Sequence, residues 1–383
     1  MGTRVILSVE AVRYPLTGTG RYAYELSRHL PHVGGIDDLR YFGMGGFLDS
    51  APEPSDEGSA AVGWIKRTLQ KSNTVVALRQ SALDWRRRRA LLAHDEHVFH
   101  GPNYYLPPRQ GPNVVTIHDL SIFTMPECHP PARVRYMRKQ IRLSLKRATH
   151  LITDCDYTKN ETAAYFDWPQ DRVTAIPLAS SDDFRPRDET QTRDVLAELG
   201  LEHEGYCLYA GTIEPRKNVM RLLDAYEGLP AAIRTRFPLV LVGHRGWQSE
   251  AAHEKIERAV REGWAVYPGY VPNAHLPLLF AGARLFVLPS LYEGFGLPIL
   301  EAMASGTPVI VSRNSSLPEV AGDAALYVEA EDTAELREAI ARGLDDTQWR
   351  SDSIRKGLDR AALFSWRRCA TETAAVYARA ARA

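Results

Sequence analysis

Short apolar runs rich in β-branched residues alternate with longer stretches of helical spacing along almost the whole chain. The runs at 5–9, 98–100, 114–117, 150–154 and 173–176 read as strands in the first half, with 39–42 a further plausible one. In the second half they fall at 207–210, 239–242, 265–267, 285–288 and 309–311. Strands that are apolar on both faces, each followed by enough chain for a crossover helix, predict parallel sheets covered on both sides. Two doubly wound sheets follow, separated by the polar stretch SSDDFRPRDETQT at 180–192. The pattern predicts a first domain over 1–180 and a second over 181–364. The last segment, SWRRCATETAAVYARAARA at 365–383, has the spacing of one helix. A chain of 383 residues is long enough for two such cores. Ligands of doubly wound sheets bind at the carboxyl ends of the strands, so a cleft between the domains is the expected site.

The densest chemistry lies at 292–306, YEGFGLPILEAMASG, directly after the strand at 285–288. Glu293 and Glu301 bracket a Gly-Phe-Gly turn, and Pro298 suits a first helical position, so a helix starts at Leu297 or Pro298. Glu301 is then expected on its first turn and Glu293 in the loop before it. On one continuous helix the two carboxylates would lie about 12 Å apart in rise. A break in the loop instead brings both to the positive helix end, beside the N–H groups of Phe295, Gly296 and Leu297. Carboxylates accept hydrogen bonds from sugar hydroxyls and free amides hold phosphate oxygens, which suits a phosphorylated, polyhydroxylated ligand. A lone E-x7-E would sooner be a helix cap beside a tight turn; the surrounding motifs turn the reading towards a ligand site.

Those motifs resemble one family. The run 269–311 (GYVPNAHLPLLFAGARLFVLPSLYEGFGLPILEAMASGTPVIV) is similar to the retaining glycosyltransferases of family four. So are SSLPEVAGDAALYV at 315–328, AGTIEPRKNV at 210–219, TGTGRYAYEL at 17–26, HGPNYYLP at 100–107 and VVTIHDL at 114–120. The similarity is greatest to bacterial mannosyltransferases of surface-polysaccharide (O-antigen) assembly, and only residues 50–95 fall outside it. It implies the GT-B fold: two Rossmann-like domains facing each other across a cleft, with the helix at 365–383 returning to the first. It further implies a nucleotide-sugar donor, favoured as GDP-mannose, a saccharide or lipid-linked acceptor, retention of configuration, and no metal or other cofactor. Rival readings are a 6-deoxyhexose, glucose or N-acetylhexosamine donor, a sugar-nucleotide epimerase of the same fold, or a catalytically silent binding protein.

The resemblance also assigns residues. Arg216 and Lys217, in TIEPRKN after a strand, are implied ligands of the donor diphosphate, with Arg216 equally able to pair with Glu214. Glu293 is placed beside the sugar, Glu301 on the ribose hydroxyls, and Tyr270 and Val271 along the base. His118, at the end of the strand 114–117, is implied to contact the sugar, at its C6 hydroxyl, from the opposite domain; His100 is a weaker candidate, with a structural role as its alternative. Gly18 and Gly20, with Ala23, make a nominal G-x-G-x-x-A dinucleotide fingerprint. The glycines do not follow the first strand directly, and Asp37 and Asp38 precede the strand 39–42 rather than end it. NAD is rejected, and close approach of the Gly18 loop to the donor diphosphate is preferred. Asp154-Cys155-Asp156 has D-x-D metal spacing but reads as structural.

Charge and cysteine content narrow the setting. Lys plus Arg equals Asp plus Glu at 47 each, which gives no general attraction to nucleic acid. The four cysteines lack metal spacing, and no apolar run reaches the length of a membrane span or a signal peptide, so a reduced cytoplasmic setting is expected. Two segments are strongly basic: 62–90, with eight Lys or Arg, Asp84, Trp64 and Trp85, and 133–147, with seven and no acid. They read either as solvated faces or as a surface for peripheral docking on the inner face of the cytoplasmic membrane.

Overall fold

The computed structural model describes residues 2–12, 16–53, 83 and 85–383. Two sheets account for the described strands. The first contains β1 (Thr3–Ser8), β2 (Ile36–Gly43), β3 (Gly46–Leu48), β4 (Val98–Gly101), β5 (Asn113–Ile117), β6 (His150–Thr153) and β7 (Val173–Ala175). Its order is β3-β2-β1-β4-β5-β6-β7, parallel throughout except for β3. The second contains β8 (Cys207–Ala210), β9 (Leu239–Val242), β10 (Ala265–Gly269), β11 (Leu285–Leu288), β12 (Val309–Ser312) and β13 (Ala325–Val328), in the order β10-β9-β8-β11-β12-β13. In each sheet the winding reverses beside its first strand, between β1 and β4 and between β8 and β11. Loops leaving the carboxyl ends of strands flanking such a reversal diverge and leave a crevice.

The alternation of side chains explains why the strand pattern is legible. In β1, Val5 and Leu7 pack into one core and Ile6 into another. Val98 and Val114 join the first of these and Phe99 and Val115 the second, so the central strands of the first sheet are covered on both faces. All four residues of β8, β9, β11 and β12 are buried. The less regular edges are where the pattern misled. The strand expected at 39–42 is longer, and Asp37 and Asp38 lie within it. Asp38 accepts hydrogen bonds from Arg40 and pairs with His97. Two strands were not anticipated: β3, closed by a turn with Met44 and Gly45 at positive φ, and β13, which is mostly half-buried. Both lie at sheet edges: β3, GFL, has no apolar run to read, whereas β13, ALYV, has one as long as those of β8 and β9.

The last helix, Trp366–Ala380, has Ser365 as its N-cap and lies on the first sheet, where Trp366, Cys369, Ala370, Val376 and Tyr377 join the core of β1 and β4. Its polar anchor is specific. Tyr377 Oη lies 2.7 Å from His100 Nδ1, and His100 Nε2 lies 2.8 Å from Thr116 Oγ1. His100 is fully buried, and burial lowers its pKa to about 3, so it is neutral. Tyr377→Phe leaves one ring nitrogen without a partner in an apolar site. The expected cost is about 1–3 kcal/mol, read as a lower urea midpoint at unchanged m value.

Candidate active site

The carboxyl ends of β8 and β11, neighbours at the reversal of the second sheet, carry the strongest charge cluster. After β8 the chain makes a short turn, Pro215–Lys217, and Asn218 takes a left-handed conformation (φ 59°) before the helix Val219–Glu227. The Asn218 amide donates to Pro289 O at 2.9 Å and Ala330 O at 2.7 Å, which ties this turn to the end of β11. Arg216 and Lys217 therefore project towards Glu293. Lys217 Nζ lies 2.6 Å from Glu293 Oε1 and Arg216 Nη1 lies 3.0 Å from Oε2. Ser290 Oγ donates to Oε1 at 2.7 Å. Arg216 also donates to Tyr292 O at 2.6 Å and to Glu214 Oε1 at 2.9 Å, so it pairs with both glutamates. Burial alone would raise the pKa of Glu293, but Lys217 and Arg216 outweigh it and hold the carboxyl down at about 2. Arg216 Nε has no partner among the described residues.

The helix Leu297–Ala304 follows, with Gly296 at φ 104° ahead of it and Pro298 in its first turn. The N–H groups of Phe295, Gly296 and Leu297 have no hydrogen-bond partner among the described residues. Ser316 Oγ donates to Glu293 O and Phe295 O, both at 2.9 Å, and Ser315 Oγ accepts from Glu293 N at 2.9 Å. The loop is thus held from below by the SSLPE segment with its amides left open. Glu301 is the fifth residue of the helix, one position beyond the first turn expected for it. It is 6% exposed, and burial raises its pKa against the opposing charge of Arg21 in the helix Gly18–His29 of the first sheet. At the end of β10, Tyr270 stacks on His244, with centroids 4.9 Å apart and planes at 16°. Val271 beside it is buried.

The first-domain side of the cleft comes into direct contact with this loop. A Cβ built on Gly294 would overlap the His118 carbonyl oxygen and meet Asp119 Cβ at 2.8 Å, so only glycine permits the approach. Leu120 N donates to Tyr292 Oη at 3.1 Å, and Tyr292 Oη donates to Glu161.

Residues 193–360 match the family model described as glycosyl transferases group 1. The chain is 42% identical to O-antigen chain mannosyltransferase B of Escherichia coli, over 98% of this chain and 99% of that one. The chain belongs to the group 1 glycosyltransferases. It is a hexosyltransferase with the GT-B fold. Sucrose-phosphate synthase from Thermosynechococcus elongatus shares that fold at a TM-score of 0.70 and 21% identity, over 99% of both chains. WaaG, a glycosyltransferase involved in lipopolysaccharide biosynthesis, does so at 0.66 and 16%, over 97% of this chain and 98% of that one.

Of the residues expected in the transferase site, Arg216, Lys217, Glu293, Phe295, Gly296 and Leu297 converge at the ends of β8 and β11. Tyr270 and Val271 line the end of the neighbouring β10. Two expectations need correction. Gly18 and Gly20 are not in a loop; Thr17 caps the helix at Gly18, and its Oγ1 accepts from Gly20 N at 3.3 Å. His118 has both ring nitrogens engaged inside the first domain, Nδ1 with Asp154 Oδ2 at 2.7 Å and Nε2 with Pro102 O at 2.8 Å. Burial lowers its pKa, but Asp154 more than compensates and the net shift is upward; Nε2 donates to the Pro102 carbonyl, which can only accept. With both ring nitrogens engaged, His118 has no free N–H for a C6 hydroxyl unless Pro102 is released, because the contact with Asp154 also orients the ring. Asp154 is thereby committed to His118, and Cys155 caps the helix Asp156–Phe166. Ser290, Ser315, Ser316, Tyr292, Asp119 and His244 were missed. All but His244 lie in the matched runs at 114–120, 269–311 and 315–328, which were the available signal; His244 has none.

The two glutamates have opposite linkage to stability. Glu293, depressed from 4.5 to about 2, contributes stability that is complete above pH 4.5 and lost as pH falls towards 2. Glu301, raised, binds its proton more tightly in the folded state, so its contribution becomes unfavourable as pH rises above 4.5. Glu293→Gln is expected to lose about 3 kcal/mol at neutral pH. Glu301→Gln is expected to gain stability there. Urea unfolding of both variants between pH 3 and 7 measures the two signs.

Proposed function

We propose that the enzyme transfers mannose from GDP-mannose to a saccharide or lipid-linked saccharide with retention of configuration and without a metal ion. The observation that carries the reading is the pairing of Arg216 and Lys217 with the buried Glu293 beside open amides at a helix start. Lys217 has further N–H groups beyond the one directed at Glu293, and Arg216 Nε is unpartnered among the described residues. A diphosphate arriving there meets two fixed cations and the N–H groups of Phe295, Gly296 and Leu297, the charge that a leaving nucleoside diphosphate requires. Both oxygens of Glu293 are already held by Lys217, Arg216 and Ser290, which argues against a nucleophilic role. The acceptor oxygen instead bonds to the anomeric carbon on the face that the diphosphate leaves. The C–O bond to the diphosphate breaks with its electron pair on the phosphate, and the acceptor proton passes to that phosphate oxygen. Glu301 suits the ribose hydroxyls and Tyr270 with Val271 the base. Mannose as the sugar rests on the similarity to O-antigen chain mannosyltransferase B.

Calorimetry across a panel of nucleotide sugars is expected to select GDP-mannose, with turnover intact in EDTA. Lys217→Ala is expected to weaken GDP binding by about 1.5–3 kcal/mol, the range for a charge-assisted hydrogen bond. Tighter binding and faster turnover of another donor, or turnover that needs added Mg²⁺ or Mn²⁺, overturns the assignment.

We also propose that the first domain docks on an anionic membrane surface to reach a lipid-linked acceptor. No helix among the described residues is long and apolar enough to cross a membrane. Segment 62–90 lies mostly outside the described residues, but Trp85, Arg86, Arg88 and Arg89 are exposed, as are Arg135, Lys139 and Lys146 on the helix Pro131–Leu145 and just beyond it. Not every basic residue is available. Arg87 is buried against Glu10, Arg138 and Arg147 donate to backbone carbonyls, and Arg133 lies over Trp247. Each available cation is worth about 1 kcal/mol near an anionic surface and is screened by salt. Binding to anionic liposomes is expected to fall steeply with salt and to weaken when Arg86, Arg88 and Arg89 become serine. Equal binding to neutral vesicles would make these residues a solvated face.

A further inference from the structure

Strand β6 runs straight into the helix Asp156–Phe166 through Asp154-Cys155-Asp156, a junction that the transfer chemistry above leaves unused. It nevertheless makes a concentrated set of polar contacts between the first sheet's domain and the loop that bears Glu293. Thr158 Oγ1 donates to Gly294 O at 3.0 Å, and Cys155 Sγ lies 3.1 Å from the same oxygen. One turn further along the same face, Glu161 accepts the hydroxyl of Tyr292, the residue before Glu293. The first N–H groups of the helix are closed from across the cleft: Glu319 Oε1 accepts from Asp156 N at 2.8 Å and Oε2 from Tyr157 N at 2.9 Å. Glu319 belongs to the same SSLPE segment whose Ser315 and Ser316 hold Glu293 and Phe295 from the other side. The loop is therefore gripped between a helix of one domain and a turn of the other, and those two also grip each other.

We propose that Thr158, Glu161 and Glu319 are positioning residues for the transfer, a clamp by which closure of the first domain sets the orientation of the Glu293–Phe295 loop. The backbone explains how a contact with the first domain reaches the donor site. The C=O of Gly294 and the N–H of Phe295 belong to one trans peptide unit and point in opposite directions. Fixing the Gly294 oxygen on Thr158 therefore aims the Phe295 N–H away from the first-domain helix, and that N–H is one of the amides left open for an anion. When the domains separate, Gly294 O loses its donors, Tyr292 Oη loses both partners, and the peptide unit is free to turn. The helix Asp156–Phe166 loses its bidentate carboxylate at the same moment, which opposes separation. A site whose ligand-binding groups lie on the second domain is thus completed geometrically by the first.

The clamp does not depend on which sugar is transferred, so its test has one arm without a donor. Small-angle scattering of the unliganded protein is expected to show a larger radius of gyration for Thr158→Val and for Glu319→Gln than for the unchanged enzyme. Glu319 contacts the helix in an exposed position, so that variant keeps its fold. With GDP-mannose, Thr158→Val is expected to lower kcat by about 10- to 100-fold, the scale for loosening a positioned group. GDP affinity should fall by less than kcat does, because Lys217 and Arg216 still hold the diphosphate when one amide contact is lost, and Thr158→Ser should return kcat to within about threefold of the unchanged enzyme by restoring the hydroxyl. Unchanged scattering in both variants overturns the clamp. So does a folded Thr158→Val enzyme with full kcat, or a serine variant as impaired as the valine one. An unchanged enzyme inert towards GDP-mannose would instead count against the donor assignment, and the scattering arm would still decide the clamp.

Discussion

A carboxylate buried without a counter-charge would be among the most costly groups in the molecule, and Glu293 escapes that cost only because Lys217 and Arg216 face it. Removing either side leaves a charge stranded in a site with almost no access to water. The constraint extends beyond the pair. Lys217 and Arg216 must leave β8 in a tight turn, so Asn218 adopts a left-handed conformation and its amide anchors to the end of β11. Glu293 must leave β11 directly, so Ser290 donates to the same Oε1 as Lys217 and Ser315 accepts from its N–H. The ion cluster thus fastens together two loops that the sheet topology would otherwise let diverge, and it does so at the point where a doubly wound sheet opens a crevice.

Proximity across the cleft depends on a different property, the absence of a side chain at Gly294. Any Cβ there would strike the His118 carbonyl, and the two domains could not meet at this point. The buried pair of His118 with Asp154 then takes on a supporting meaning. It links the ends of β5 and β6 to the Pro102 carbonyl and so stiffens the surface against which Gly294 rests. Charge in the second domain and rigidity in the first together define the geometry available to a hexosyl group between them.

Much of this was legible in the residues. The strands at the centre of both sheets carry continuous apolar runs because they are covered on both faces. The start of the helix Leu297–Ala304 was visible in Gly-Leu-Pro, since proline is tolerated only in a first turn. Arg216, Lys217 and the E-x7-E pair were legible as chemistry because their motifs resemble a family's. Of the edge strands, β3 is too short and too exposed for a period to emerge, whereas the apolar run of β13 was present but went unread. The engagement of His118 was not legible, since its position at a strand end is the same whether its imidazole meets a sugar or a carboxylate.

The division follows from the range of the forces involved. Secondary structure, the α/β layering and the identity of the charged motifs depend on local sterics and on patterns of burial, which are written in consecutive residues. Which cation meets which carboxylate depends on contacts between residues 76 or 77 positions apart, as with Lys217 and Arg216 around Glu293. The hold of Thr158 on Gly294 spans 136 positions and that of Glu319 on Asp156 spans 163. No local pattern encodes such pairs. They exist only once two sheets have formed and their loops have been brought together, so the sequence by itself determined the parts of the site, and the tertiary structure alone decided their partners.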